Sequence, residues 1–165
     1  MISIRYAAID DFEFFYEIKC EENNIFWTGH DDKPLREELF SFFQTAVKES
    51  SQKEKRKIYI VENGKLKIGY LYIIPNGNSF ELSSAISQKF QGKGYGKKAI
   101  ALGLEEGKAL GYRKMIGSIR EDNIASMKAH IACGVRVTED YNLVYIPKLN
   151  RKVKMYIIEK NLEED

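Results

Sequence analysis

Between residues 90 and 98 the chain reads Phe-Gln-Gly-Lys-Gly-Tyr-Gly-Lys-Lys, so that Gly92, Gly94 and Gly96 alternate with Lys93, Tyr95 and Lys97. Glycine lets the backbone take positive φ and lets a ligand approach the main chain closely. The unpaired N–H groups at a helix start present a ready anion site. Lys93, Lys97 and Lys98 fall where a helix beginning near Gly94 puts its positive pole, which disfavours a cation by about 0.3–1 kcal/mol each unless an anion is bound. A phosphate reconciles the glycines with the lysines; a plain strand-to-helix turn beside a solvated lysine face is the competing reading. Other phosphate loops fit poorly. Counting on from Gly92, the second glycine of Gly-x-x-x-x-Gly-Lys-Ser/Thr would stand where Lys97 is. For Gly-x-Gly-x-x-Gly the third glycine comes one place early, and the strands before it form hairpins, not a parallel βαβ unit.

Two further groups could do chemistry by type and spacing. His130 and Cys133 lie one helical turn apart, the arrangement of a nucleophile and its base, yet no third residue orients them. With only His30, His130, Cys20 and Cys133 as soft ligands and no Cys-x-x-Cys pair, neither a metal site nor a disulfide framework is supported, and two reduced, partly buried thiols are expected.

The elements that position these residues follow from hydrophobic periodicity. Ile2, Ile4 and Tyr6 alternate with polar residues and predict a first strand. Asp10 and Asp11 are placed to cap a helix running from Phe12 to Cys20 and stopping near Asn23-Asn24. An irregular stretch follows from Ile25 to Lys33. Pro34 suits a first helical position before the stripe Leu35, Leu39, Phe42, Phe43, Ala46 and Val47. Ile58 to Val61, the turn Asn63-Gly64 and the alternation from Leu66 to Tyr72 predict a hairpin, and Phe80 to Ser87 a third antiparallel strand. A helix is expected from Gly94 to Leu110, a strand from Lys114 to Ile119, and a helix from Asp122-Asn123 to Gly134. A closing hairpin turns at Pro147-Lys148-Leu149-Asn150. The order β α α β β β α β α β β, without internal repeat or linker, predicts a single α/β (α+β) domain over residues 1–165, a mixed sheet covered by helices.

The loop 91–96 resembles the acetyl-CoA pyrophosphate loop of the GNAT N-acetyltransferases, Gln/Arg-x-x-Gly-x-Gly/Ala, through Gln91, Gly94 and Gly96. Upstream, Leu82-Ser83-Ser84-Ala85-Ile86-Ser87-Gln88-Lys89-Phe90 resembles that family's fourth strand and its connection, with Gln88 where proline is frequent. Downstream, Asn123-Ile124-Ala125-Ser126 through Cys133-Gly134-Val135 is similar to the family's Asn-x-x-Ser helix ending in Gly-Phe, a pattern shared with ribosomal-protein acetyltransferases; Val135 replaces the aromatic residue. The resemblance implies the GNAT fold, about seven mostly antiparallel strands flanked by about four helices, and transfer of an acetyl group from acetyl-CoA to a primary amine without a metal. It implies that the fourth and fifth strands splay apart around the cofactor's pantetheine arm. Ala85, Ile86 and Ser87 would then supply main-chain hydrogen bonds, and Gln91, Gly92, Lys93, Gly94, Tyr95, Gly96 and Lys97 the pyrophosphate cradle. A carboxylate introduced at Gly94 is expected to abolish cofactor binding with the fold intact. Asn123 and Ser126 would face the thiol end, although a helix cap accounts for Asn123 equally well.

An alkylamine titrates near ~10.4, so reaching the neutral, nucleophilic form at pH 7 costs roughly 4–5 kcal/mol and calls for a base or a water relay. By its place in the fourth strand Glu81 is the candidate base, unless it is simply a solvent-facing strand residue. Where the family often has a tyrosine that protonates the leaving thiolate, this chain has His130, whose imidazole can donate a proton; Ser126 is the second candidate acid. The rival from another class is a binding module that keeps the loop and has lost chemistry.

Lys+Arg 26 against Asp+Glu 24 gives a net charge of +2 with the signs interspersed, which argues against a nucleic-acid-binding chain despite Tyr 10 and Phe 9. No run of 18 apolar residues and no leader-like start predict a cytoplasmic protein without a membrane span. Phe26, Trp27, His30, Asp31, Asp32 and Tyr141 are the expected acceptor-side residues, aromatic and acidic groups that suit a cationic amine. The chain is expected to act as a monomer or homodimer.

Overall fold

The computed structural model describes residues 1–163. Seven strands form one sheet in the order β1-β2-β3-β4-β5-β7-β6. They are β1 (Ile2–Tyr6), β2 (Lys57–Asn63), β3 (Leu66–Asn76), β4 (Ser79–Ile86), β5 (Lys114–Arg120), β6 (Arg136–Ile146) and β7 (Arg151–Asn161). Every neighbouring pair is antiparallel except β4 and β5, which run parallel because a helix crosses over between them. The helices are α1 (Phe12–Lys19), α2 (Glu22–Thr28), α3 (Arg36–Lys48), α4 (Tyr95–Ala109) and α5 (Ile124–Ala132).

Burial on both faces explains why the central strands read as nearly unbroken apolar runs. One cluster joins Tyr59, Val61, Leu71, Ile73, Phe80 and Leu82 to Ala99, Ile100 and Leu104 of α4. The alternate residues Ile58, Ile60, Tyr70 and Tyr72 pack with Phe12, Phe15, Ile18, Phe43 and Ala46 of α1 and α3. The sheet thus separates an α4–α5 side from an α1–α3 side.

Three expectations change. The stretch read as irregular after Asn23-Asn24 contains α2, so five helices replace the expected four or so. Pro34 does not open α3, which begins at Arg36 after Leu35 in an extended conformation (φ −69°, ψ 124°). Asp11 does not cap α1 with its side chain, which turns back onto the N-cap of the 3-10 turn before it. It is 2% exposed, accepts from the Ala8 N–H at 2.8 Å, and is gripped by Arg5 at 2.8 and 3.0 Å and Lys67 at 2.7 Å. Burial pushes the Asp11 carboxyl up, but the hydrogen bonds from Arg5, Lys67 and Ala8 outweigh it and hold the group well below the usual carboxylate range.

The glycines of α4 let it lie close on the sheet. A Cβ at Gly107 would stand 2.2 Å from the Phe80 ring, itself 1% exposed. Gly→Ala inside a helix ordinarily stabilises by about 1 kcal/mol, whereas overpacking a core costs typically about 1–3 kcal/mol and more where nothing can yield. Overpacking should win here, because Phe80 is fully enclosed. Gly107→Ala is therefore expected to lower the thermal midpoint by about 4 °C or more. An equal or higher midpoint in a calorimetric melt would show that α4 has room to move off the sheet.

Candidate active site

The parallel pair β4–β5 is joined only at its base, where Ser79 faces Lys114 and Phe80 faces Met115. Beyond that point β4 stays paired with β3 as far as Ile86, and β5 with β7 as far as Arg120, so the two part and leave a V. Main-chain direction alternates along a strand. The Ser87 N–H donates to the Ile68 carbonyl at 2.8 Å, so Ser87, and Ala85 by alternation, turn their amide edges toward β3. Ile86 and Ser84 turn theirs into the V. Of Ala85, Ile86 and Ser87, only Ile86 turns its amide edge into the V; Ala85 lines the opening without its amide edge.

Ile86 leads directly into the glycine loop. Gly92 and Gly94 both have φ 79°, a region that side-chain-bearing residues rarely adopt, and α4 starts at Tyr95 with Gly94 as its N-cap. The first bond inside the helix runs from the Lys98 N–H to the Gly94 carbonyl at 3.3 Å. The N–H groups of Tyr95, Gly96 and Lys97 therefore have no intrahelical acceptor. A Cβ placed on Gly92, Gly94 or Gly96 meets nothing within 4 Å, so the cradle is open. Lys93, Lys97 and Lys98 are exposed around it and none is paired with a carboxylate among the described residues. The left-handed backbone at Gly94 means that a carboxylate introduced there would strain the turn as well as change its charge. Gly96, with ordinary φ, is the clean position for that test.

Helix α5 forms the far wall of the V. Asn123 is its N-cap, with Oδ1 accepting from the Ser126 N–H at 3.2 Å, and it also lines the cavity, so capping and a place in the cavity wall coexist. His130 is 9% exposed; its Nδ1 lies 2.8 Å from the Ser126 carbonyl oxygen and 3.4 Å from Ser126 Oγ. Burial pulls the imidazole below its usual range, partly opposed by the Ser126 carbonyl. Cys133 is half-buried, its Sγ donating to the Lys97 carbonyl at 3.4 Å, and burial pushes its thiol up. It is therefore no activated nucleophile. Cys20 and Cys133 are both free.

The residues missed in the sequence lie on and beside α2, which closes the V from the α1–α3 side. Glu21 accepts from Ser87 Oγ at 2.8 Å and from the Gln88 N–H at 3.1 Å. Asn23 Nδ2 donates to Gln91 Oε1 at 3.1 Å, while Gln91 Nε2 donates to the Ile86 carbonyl at 3.1 Å. Asn24 Nδ2 donates to Tyr70 Oη at 3.0 Å. From β5, the buried Arg120 reaches the Phe26 carbonyl at 2.7 Å, lies over the Phe26 and Trp27 rings at 4.6 and 4.8 Å, and is held bidentately by Asp122. A run of acids and asparagines, Glu21-Glu22-Asn23-Asn24, opens α2. Read as a helix start instead of a stop, it was the available signal.

These walls enclose one cavity of about 470 Å³, lined by both arms of the V, the glycine loop, α5 and α2. Asn123, Ser126, His130, Ile86, Gln91, Gly92, Gly94, Tyr95, Gly96 and Ala85 line it; Ser87, Lys93, Lys97 and Glu81 do not. Glu81 is exposed on β4 immediately after the last β4–β5 pair, next to Leu82, the first lining residue of that strand. Trp27 borders the cavity, whereas His30, Asp31, Asp32 and Tyr141 stand outside it; Tyr141 packs on Tyr156 at the hairpin. Among the described residues no cluster of three or more His, Cys, Asp or Glu could hold a metal ion, and no helix is long and apolar enough to cross a membrane.

Comparison with known proteins fits this geometry. Residues 2–136 match the family model described as an acetyltransferase (GNAT) domain. No curated protein matches the sequence. Among solved structures, spermidine N-acetyltransferase from Vibrio cholerae, in complex with CoA and spermine, superimposes with a TM-score of 0.85 at 18% identity, over 98% of this chain and 96% of that one. A ribosomal-protein-alanine N-acetyltransferase from Brucella melitensis gives 0.79 at 20% identity, over 96% and 99%. A phosphinothricin acetyltransferase from Sinorhizobium meliloti, in complex with AcCoA, gives 0.79 at 22% identity, over 97% and 88%.

Proposed function

Because the chain belongs to the GNAT acetyltransferase family, we propose that it transfers the acetyl group of acetyl-CoA to a primary amine by direct attack, with both substrates bound in the V. The observation that carries this reading is the Ile86 N–H turned into the V, beside a carbonyl that Gln91 already holds, on a strand that leads into the open cradle of Gly92 to Lys97. An extended pantetheine amide can pair with Ile86, and a diphosphate suits the unpaired N–H groups of Tyr95, Gly96 and Lys97 with the three lysines around them. Gln91 would hold the loop against Ile86.

The acceptor would enter from the α2 side. An alkylammonium must lose two protons to become an amide. The first has to leave before attack, at a cost of roughly 4–5 kcal/mol at pH 7. Glu81, solvent-facing at the fork of the V, suits that first transfer through a water, because it can pass the proton straight to bulk solvent. The main-chain N–H groups of Ser84 and Ile86 would receive the charge that develops on the carbonyl oxygen. CoA is a fair leaving group, its thiol titrating near ~8.5, so a modest acid suffices; His130 and Ser126 are the groups in the cavity that can serve. Free Cys20 and Cys133 fit a reducing compartment, and we place the protein in the cytoplasm.

The relatives act on chemically distinct amines, which defines a panel: spermidine, a peptide with N-terminal alanine, and phosphinothricin. Release of CoA thiol, with the acetylated product found by mass spectrometry, should rise above the amine-free rate for at least one. Tight acetyl-CoA binding with no thiol release from any would leave a binding module instead of an enzyme.

A further inference from the structure

From the geometry of α5 we infer that His130 is a proton shuttle: Nε2 takes the proton of the attacking nitrogen and hands the same proton to the departing sulfur, while Nδ1–H stays bonded to the Ser126 carbonyl. This deepens the acetyl-transfer reading and rests on it.

The starting point is tautomeric. Two acceptors do not approach to 2.8 Å, so the contact between Nδ1 and the Ser126 carbonyl oxygen places a hydrogen on Nδ1. In the neutral ring Nε2 then carries a lone pair and no proton. Nε2 has no partner among the described residues, on a side chain that lines the cavity. The resting imidazole therefore has no proton at Nε2 to give to a thiolate. It must first receive one, and attack itself releases one inside the cavity.

The electron count closes. The neutral amine nitrogen forms a bond to the acetyl carbon, and the carbonyl π pair moves onto oxygen. The nitrogen is now cationic, and one N–H proton passes to the Nε2 lone pair, giving imidazolium. The oxygen pair re-forms the carbonyl, the carbon–sulfur bond breaks with its pair on sulfur, and the Nε2 proton goes to sulfur. The products are the amide and CoA thiol, with His130 returned to its starting tautomer. The Ser126 carbonyl holds the ring and eases the transient positive charge, the part that a carboxylate plays in other histidine sites.

The surroundings keep the ring in this cycle. The charged groups about α5 are the exposed Lys128 of the helix itself, Glu21 and Arg120 in the cavity wall, Asp122 paired with Arg120, Lys97 on α4, and Lys160 on β7 near Cys133. Burial keeps the imidazole neutral at pH 7, ready to accept. Acid should therefore switch the shuttle off by protonating Nε2. Amine protonation alone lowers kcat/KM about tenfold per pH unit below ~10.4, and the ring adds a second, steeper limb with its midpoint below about 6.5.

Two measurements test this on the full chain with acetyl-CoA bound. Long-range ¹H–¹⁵N NMR, with His30→Gln removing the exposed second histidine, should show His130 protonated at Nδ1 only above pH 7. An Nε2-protonated tautomer, or an imidazolium at pH 7, overturns the shuttle. In kinetics with the panel amine that the wild type acetylates fastest, His130→Gln should lower kcat about 100–1000-fold, leave the acetyl-CoA Kd within about twofold and abolish the second acidic limb. A loss under about threefold, or survival of the second limb, overturns the shuttle while the acetyltransferase stands. No thiol release by the wild type from any of the three overturns both.

Discussion

Gly96→Glu should raise the Kd for CoA by at least about 100-fold while making the protein slightly more stable. Gly96 sits in the first turn of α4 with ordinary backbone angles, and a Cβ there meets no atom within 4 Å, so a side chain can leave the helix without a clash at its root. An acidic residue in a helix's first turn gains about 0.3–1 kcal/mol from the dipole, and replacing glycine in a helix adds a similar amount. The same carboxylate stands among the free N–H groups that would hold a diphosphate, and like charges in one anion site exclude each other. Binding and stability thus move in opposite directions, which a general loss of structure cannot mimic. Calorimetric titration with CoA beside a thermal melt checks both signs. Unchanged affinity would remove the anion from this loop.

Arg120→Leu should have the second largest effect, centred on α2 and not on the cofactor loop. The guanidinium is all but enclosed and joins β5 to the Phe26 carbonyl, the Phe26 and Trp27 rings and Asp122. Leucine restores little of this and leaves a carbonyl and a carboxylate short of donors, a loss of about 2–4 kcal/mol once partial hydration of Asp122 is allowed for. The melting midpoint should fall by roughly 5–10 °C. Amide exchange should quicken at residues 22–28, whose other anchors are the side chains of Glu21, Asn23 and Asn24. With α2 loosened, the KM for the amine should rise well before the affinity for CoA falls. Unaltered exchange in α2 would mean that its three other ties are enough.

How far the sequence reaches depends on whether a signal is local. The glycines at 92 and 94, the turns at Asn63-Gly64 and Pro147 to Asn150, and the cap at Asn123 announce themselves within a few residues, and the strand alternation does the same. Helix α2 does not. It has seven residues, too few to persist alone, and is held by partners up to 94 positions away, such as Arg120 on the Phe26 carbonyl. Asn23-Asn24 read locally as a stop, whereas those amides are spent on Gln91 and Tyr70. The choice among Ala85, Ile86 and Ser87 was equally out of reach. It is decided by the register of β4 on β3, which the turn between Asn76 and Ser79 sets, and a slip of one residue would reverse it. The tautomer of His130 likewise emerges only when the side chain is seen to bend back onto the Ser126 carbonyl.

Where CoA lies is the deciding question, and a crystal structure of the complex answers it. It should show the diphosphate on the amides of Gly92 to Lys97 and the pantetheine arm paired with Ile86 between β4 and β5. A nucleotide bound elsewhere, with that loop filled by its own side chains, would contradict it.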